Sequence, residues 1–151
     1  MERSWKPNVT VASVVERDGR FLMVEEHTAD GLRFNQPAGH VEFGESLVDA
    51  AVRETLEETA HGFVPEYLVG IYQWTVPGSK LTYLRFAFGG AVGDEQPGRT
   101  LDDGIVRAVW LTPEELRACR ERHRSPLVLQ VVEDWIAGRR YGLELIRHHP
   151  V

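Results

Sequence analysis

The chain has a single cysteine, Cys119, among 151 residues, so a disulfide framework is excluded and a reducing compartment fits. No apolar run approaches the length of a membrane span, no segment repeats, and none is of low complexity. The stretch Met1-Glu2-Arg3-Ser4-Trp5-Lys6-Pro7 is polar and lacks the apolar core of a secretion signal. The expectation is a cytoplasmic protein without membrane contact. Positive charge is in deficit: 17 Lys and Arg stand against 23 Asp and Glu, a net charge of −6. That argues against a nucleic-acid polymer as partner, since such proteins carry a basic surface. A small anionic substrate stays open, because a bound metal reverses the local sign. The 42% hydrophobic content suits one packed domain over residues 1–151. Oligomeric state is not fixed by composition, and a monomer is compatible with it.

Against that background one stretch stands out, Gly39 to Gly62, most of which reads as a helix from Leu47 to His61. Val48, Val52, Thr55 and Thr59 recur with the spacing of one buried stripe. Glu54, Glu57 and Glu58 share a second face at i, i+3 and i+4. Glu54 and Glu58 repel as a like-charge pair, and Glu57 and Glu58 fall in the last turns, where the helix dipole disfavours anions. Arg53 is the one nearby cation on the helix. Three glutamates on a helix usually form a solvated face. A cluster with so little compensation instead invites an external cation, and oxygen ligands of this kind select Mg²⁺ or Mn²⁺ over zinc.

What precedes the helix supports the second reading. Asn35-Gln36-Pro37-Ala38-Gly39-His40 is a turn-rich approach, and Ser46 with Asp49 fits a capping box. The full pattern is Gly39, five residues, Glu45, seven residues, then Arg53-Glu54-Thr55-Leu56-Glu57-Glu58. This resembles the Nudix box, G-x5-E-x7-R-E-U-x-E-E-x-G-U with U aliphatic. Thr55, Ala60 and His61 depart from it. Thr55 is β-branched and stands in for Val, and Gly62 is expected to supply the left-handed cap in place of Ala60.

The resemblance implies an α/β fold: an α/β/α sandwich with a mixed sheet and the box as a loop–helix–loop beside it. The rest of the chain agrees. Val9–Glu16 and Phe21–Glu25 read as a hairpin around Asp18-Gly19. His27–Arg33 reads as a polar loop, and Phe63–Thr75, Leu81–Val92 and Ile105–Leu111 as strands. Thr112-Pro113 opens one helix, and Ser125-Pro126 opens another that Gly138 ends. A terminal strand is expected through Tyr141–Ile146.

The resemblance also implies hydrolysis of a diphosphate linked to another group, by water, with divalent metal. Glu54 and Glu58 would be the main metal ligands. Glu57 would add a ligand or hold a metal-bound water, and the Ala38 carbonyl would complete the site. Gly39 would let that backbone approach. Glu45 and Arg53 would pair and brace the loop against the helix, and Asp49–Arg53 is a further i, i+4 pair. The base is either a box glutamate or an acid on the loop before Ile105, and Asp102 is the choice there. Trp74 or Phe34 would stack on a base or pyrimidine, and Arg33 and Arg85 would contact phosphate, although a sheet aromatic and an exposed charge are the plainer readings.

Outside the box, Lys6–Ala12, Asn35–His40, Gln73-Trp74, Leu84-Arg85-Phe86, Arg124–Val128 and Arg140–Glu144 look like the NudJ-type Nudix phosphatases. That group releases orthophosphate from nucleoside tri- and diphosphates and acts on hydroxymethylpyrimidine pyrophosphate. Two alternatives stand beside it. One is a Nudix pyrophosphohydrolase acting on a nucleotide or nucleotide sugar, and the other is a non-catalytic Nudix domain that senses a nucleotide or binds a protein.

Overall fold

Asp18 and Gly19 both adopt positive φ (52° and 79°), which is the backbone of a two-residue hairpin turn and matches the right-handed twist of the flanking strands. Around it, the computed structural model, which describes residues 4–151, departs from the expected long hairpin. Strand β1 (Asn8–Val14) breaks off before Val15, and only the two-residue β2 (Glu16–Arg17) pairs with β3 (Arg20–Thr28). β1 belongs to a different sheet. It runs parallel to β7 (Thr82–Glu95) and antiparallel to β5 (Ala38–His40), and β7 pairs with β6 (His61–Thr75), giving a mixed sheet of order β5-β1-β7-β6. β3 centres an antiparallel sheet with β2, β4 (Gly31–Asn35) and β8 (Ile105–Leu111). The segment expected as a polar loop, His27–Arg33, is mostly strand: β3 continues to Thr28 and turns through Gly31, at φ 97°, into β4.

Period-2 alternation divides the sheets between two cores. Val11, Val15, Leu22 and Phe88 pack under helix α1 (Leu47–Thr59). Val14, Phe21, Met23 and Ala87 pack on the other side, against α2 (Pro113–Ala118) and α3 (Leu127–Ile136). Helices on both faces make the α/β/α sandwich. Thr112 caps α2 in a full capping box with Glu115. The tail differs from the expected strand: Tyr141 makes one bridge to Leu68, and Leu143–Leu145 forms a 3-10 turn. No described helix is long and apolar enough to cross a membrane.

The buried stripe of α1 keeps Thr55 and Thr59 of the expected one but runs through Ala51 in place of Val48 and Val52. Ala51, Thr55 and Thr59 are almost fully enclosed, while Val48 and Val52 are only partly covered. Small residues on this stripe bring the helix close to β1, where the Thr55 hydroxyl lies 2.8 Å from that of Ser13 and 2.7 Å from the Ala51 carbonyl. That contact explains a threonine in an aliphatic slot. The helix ends on Ala60, not Gly62. Ala60 takes the left-handed conformation (φ 61°), donates its N–H to the Leu56 carbonyl, and accepts from the Gln96 N–H. These bonds hold an alanine where glycine is cheaper, and Gly62 is already inside β6.

The Ser13–Thr55 pair sets a test of the helix seat. Thr55→Val strands the buried Ser13 hydroxyl and is expected to cost about 1–3 kcal/mol in urea unfolding. Adding Ser13→Ala should recover most of that loss. A double variant no more stable than Thr55→Val would remove this pair as the reason for the threonine.

Candidate active site

The site is built where the second half of α1 passes over β5. Gly39 leaves the space that the Glu54 carboxylate fills; a Cβ there would overlap that carboxylate and push it aside. Glu54 and Glu58 flank the buried stripe and are themselves 9% and 8% exposed. Glu58 accepts a hydrogen bond from the Ala38 N–H through Oε1 (2.8 Å). Carboxylate oxygens of Glu54, Glu57 and Asp102 come within 4.8 Å of one another. Asp102 is delivered to this cluster from a loop, hung by its own N–H on the Glu57 carbonyl (3.0 Å).

Arg53 is the counterweight. Its Nε and Nη2 donate to the two oxygens of Glu45 (2.7 and 3.0 Å), a bidentate pair. Nη1 donates to Glu54 (2.7 Å) and Glu57 (3.2 Å), and Nη2 also reaches the His40 carbonyl (3.0 Å). Glu42 lies 3.7 Å away. Hydrogen bonds from Arg53 hold Glu45 below the usual carboxylate range. The expected Asp49–Arg53 pair does not form among the described residues, because Arg53 turns toward the loop. Asp49 serves the helix start instead, its N–H donating to Ser46 Oγ (3.0 Å).

One guanidinium is too little for this many carboxylates. Burial pushes Glu54 above the ordinary carboxylate value even with Arg53 beside it. Burial pushes Glu58 up to about 9, against the Ala38 N–H, with Glu54, Glu26 and Asp102 adding repulsion. The donor set is all oxygen, clustered, partly buried and short of positive charge, which fits a hard divalent cation.

A cavity of about 620 Å³ opens beside these acids. Glu54, Glu58, Ala38 and Gly39 form part of its wall, with Trp74 and Arg85 among the other lining residues. Trp74 is half-buried and stacks on Tyr83 at 6.3 Å between ring centroids. Arg85 is not the exposed charge of the plainer reading; it is 7% exposed, and its burial pushes its pKa down to about 10. Arg33 and Phe34 lie outside this wall. Arg33 sits on β4 opposite Glu26, and the Phe34 ring is buried with the Arg122 guanidinium 4.6 Å from its centroid, so it offers no free face. Glu26, Asn35 and Arg124 line the cavity and were not anticipated. Asn35 and Arg124 lay in stretches that carried the resemblance without a role of their own, and Glu26 and Arg124 pair across 98 positions (2.6 Å), beyond any local pattern.

Fold and site together define an α/β/α sandwich in which a crowded set of carboxylates, able to hold a metal ion, lies beside an open cavity. A family model described as NUDIX domain matches residues 5–131, and the chain belongs to the Nudix hydrolases, enzymes that cleave phosphoanhydride bonds. It is 40% identical to phosphatase NudJ of Escherichia coli K12 over 142 residues, 94% of this chain and 92% of that one. A Nudix hydrolase structure from Nitrosomonas europaea shares 52% identity and superposes with a TM-score of 0.92, covering 95% of this chain and 98% of that one. A MutT Nudix hydrolase from Burkholderia pseudomallei, at 18% identity and TM-score 0.73 over 86% of this chain and 98% of that one, shares the fold.

The raised Glu58 has a consequence for the metal-free protein. Its folded pKa of about 9 exceeds the ordinary 4.5, so the folded protein keeps a proton on Glu58 that the unfolded chain releases, and stability falls progressively as pH rises from about 4.5 toward 9. Glu58→Gln is expected to raise stability by about 1–3 kcal/mol at about pH 7 in chelator, and by little near pH 4. Urea unfolding at both pH values measures this, and a variant less stable than wild type at neutral pH would contradict it.

Proposed function

We propose that this chain is a Mg²⁺-dependent Nudix phosphatase, with Mn²⁺ as a substitute metal. Its substrates are nucleoside tri- and diphosphates and hydroxymethylpyrimidine pyrophosphate, from which it releases orthophosphate. The observation that carries the reading is a cavity with a crowded carboxylate wall and a buried guanidinium, Arg85, in its lining. A diphosphate suits both: the carboxylates would hold a cation that offsets phosphate charge, and the guanidinium would take phosphate oxygens. The likeness to the E. coli phosphatase over nearly the whole chain supports attack at the terminal phosphorus.

Glu54, Glu57, Glu58 and the Ala38 carbonyl would hold the cation. When bound, it supplies neutralisation of phosphate charge and acidifies a water molecule. The protein's own groups do the rest. Arg53 and Glu45 keep loop and helix in one position. Arg85 takes oxygens of the phosphate chain, and Trp74 offers an aromatic face to a base or pyrimidine. Asp102 stands at the exposed edge of the cluster, where solvent reaches it, and accepts the proton of the attacking water. The water oxygen bonds to the terminal phosphorus, and the bond from that phosphorus to the bridging oxygen breaks. For a triphosphate the products are orthophosphate and the diphosphate.

Product analysis in Mg²⁺ tests this on a nucleoside triphosphate, a nucleoside diphosphate, a nucleotide sugar and hydroxymethylpyrimidine pyrophosphate. Orthophosphate is expected from the triphosphate, the diphosphate and the pyrimidine. Pyrophosphate with a monophosphate would retain the site and contradict the phosphatase reading. No product from any of the four would favour a domain that binds without turnover. Glu58→Gln is expected to lower kcat by about 100-fold or more on the best substrate.

A further inference from the structure

Arg85 lies near the start of β7, between two neighbouring strands, paired with Thr10 on one side and Tyr72 on the other. Its side chain is almost fully enclosed, yet no carboxylate lies within ion-pair distance of it among the described residues. A buried cation ordinarily acquires an acidic partner. Of the five acids in the cavity wall, Glu26 and Glu58 are the two whose charges act on it, and both are otherwise engaged: Glu26 pairs with Arg124, and Glu58 takes the Ala38 N–H.

Its partners are two neutral amides. Nη1 donates to Gln36 Oε1 (2.9 Å) and Nη2 donates to Asn35 Oδ1 (3.0 Å). The orientation of Gln36 is fixed from its other end, where Nε2 donates to the Val128 carbonyl in the first turn of α3 (2.6 Å). An amide held this way can present only its oxygen to Arg85. Gln36 is 1% exposed, so the linkage from β4 through Arg85 to α3 is enclosed. Neutral acceptors restrain a guanidinium without cancelling its charge. Of its five N–H groups two are used here, which leaves three.

We propose that Asn35 and Gln36 are positioning residues whose neutral amides fix Arg85 as an uncompensated cation in the cavity lining, oriented to take phosphate oxygens of the substrate. The proposal rests on the phosphoanhydride reading above for its ligand. It adds the reason for amides at these two positions. Carboxylates would saturate the guanidinium, and apolar residues would free it to swing onto Glu58 or Glu26. Either change would cost the substrate its cationic contact while leaving the carboxylate cluster in place.

The isosteric Asn35→Asp separates this from a packing role. The probe is inorganic pyrophosphate in Mg²⁺, titrated calorimetrically, beside kcat and KM on a nucleoside triphosphate and thermal unfolding in chelator. The variant is expected to unfold at the same temperature or higher, because a buried ion pair replaces a neutral contact. Pyrophosphate affinity should fall about tenfold or more, KM should rise in parallel, and kcat should stay within about threefold. Arg85→Lys keeps the charge and loses the fork, and should weaken pyrophosphate in the same direction. Wild-type pyrophosphate affinity in either variant overturns the proposal, as does a fall in melting temperature and kcat with KM unmoved. A wild type that turns over no phosphoanhydride but loses pyrophosphate on Asn35→Asp would refute the proposed function and keep the clamp. Turnover with KM and affinity unchanged in the variant would do the reverse.

Discussion

The site depends on one guanidinium. Arg53 is shared among Glu42, Glu45, Glu54 and Glu57 and also holds the His40 carbonyl, so a single side chain ties the loop after β5 to α1. Its best geometry, the bidentate one, is spent on Glu45. The acids that face the cavity receive the remainder or, in the case of Glu58, nothing from it. Rigid placement and incomplete neutralisation thus come from the same residue. A cation centre needs both: ligands that are already in position, and a surplus of negative charge that only an added ion relieves.

Burial of those acids follows from the way α1 is seated. Ala50, Ala51, Thr55 and Thr59 let the helix approach β1 closely, and Glu54 and Glu58 on its flank are carried down beside β5. Gly39 then leaves the space that the Glu54 carboxylate fills. Larger residues on the stripe would lift the helix and return both glutamates to water, where their pKa values would relax and their attraction for a cation would weaken. The left-handed Ala60 is a second unfavourable feature at the end of the same helix, held by hydrogen bonds on both sides. Unfavourable charge and backbone are concentrated in the element that carries the chemistry.

Much of this was legible along the chain. The box spacing from Gly39 to Glu58 marked the acids, the Asp18-Gly19 pair marked a two-residue turn, and Thr112-Pro113 marked a capped helix. Local chemistry settles each of these: a cap, a turn type, an i, i+4 spacing. Where the chain was misread, the deciding contacts were distant. The assignment of β1 to a different sheet from β3 depends on β7, more than 65 positions on. The stripe on α1 runs through Ala51 in place of Val48 and Val52, because the helix lies so close to β1 that small side chains fill the contact. Arg53 had a near partner in Asp49 and chose loop residues that folding brings to it. Arg85, Asn35 and Gln36 meet across about fifty positions, so neither the burial of the arginine nor the role of the amides had a sequence signal. Phe34 is the sheet aromatic of the plainer reading, and nothing local announced Arg122 over its ring.

On the proposed function, a divalent cation completes the under-compensated carboxylates on α1. Thermal unfolding of wild type across a Mg²⁺ series at neutral pH tests it most directly. A ligand that binds only the folded state stabilises it by about 1.4 kcal/mol for each tenfold excess over its dissociation constant. The melting temperature should therefore climb steadily with Mg²⁺, and an equal ionic strength of Na⁺ should not reproduce the climb. A melting temperature indifferent to Mg²⁺, or one that Na⁺ raises equally, would contradict the account and leave the acidic face of α1 as solvated charge.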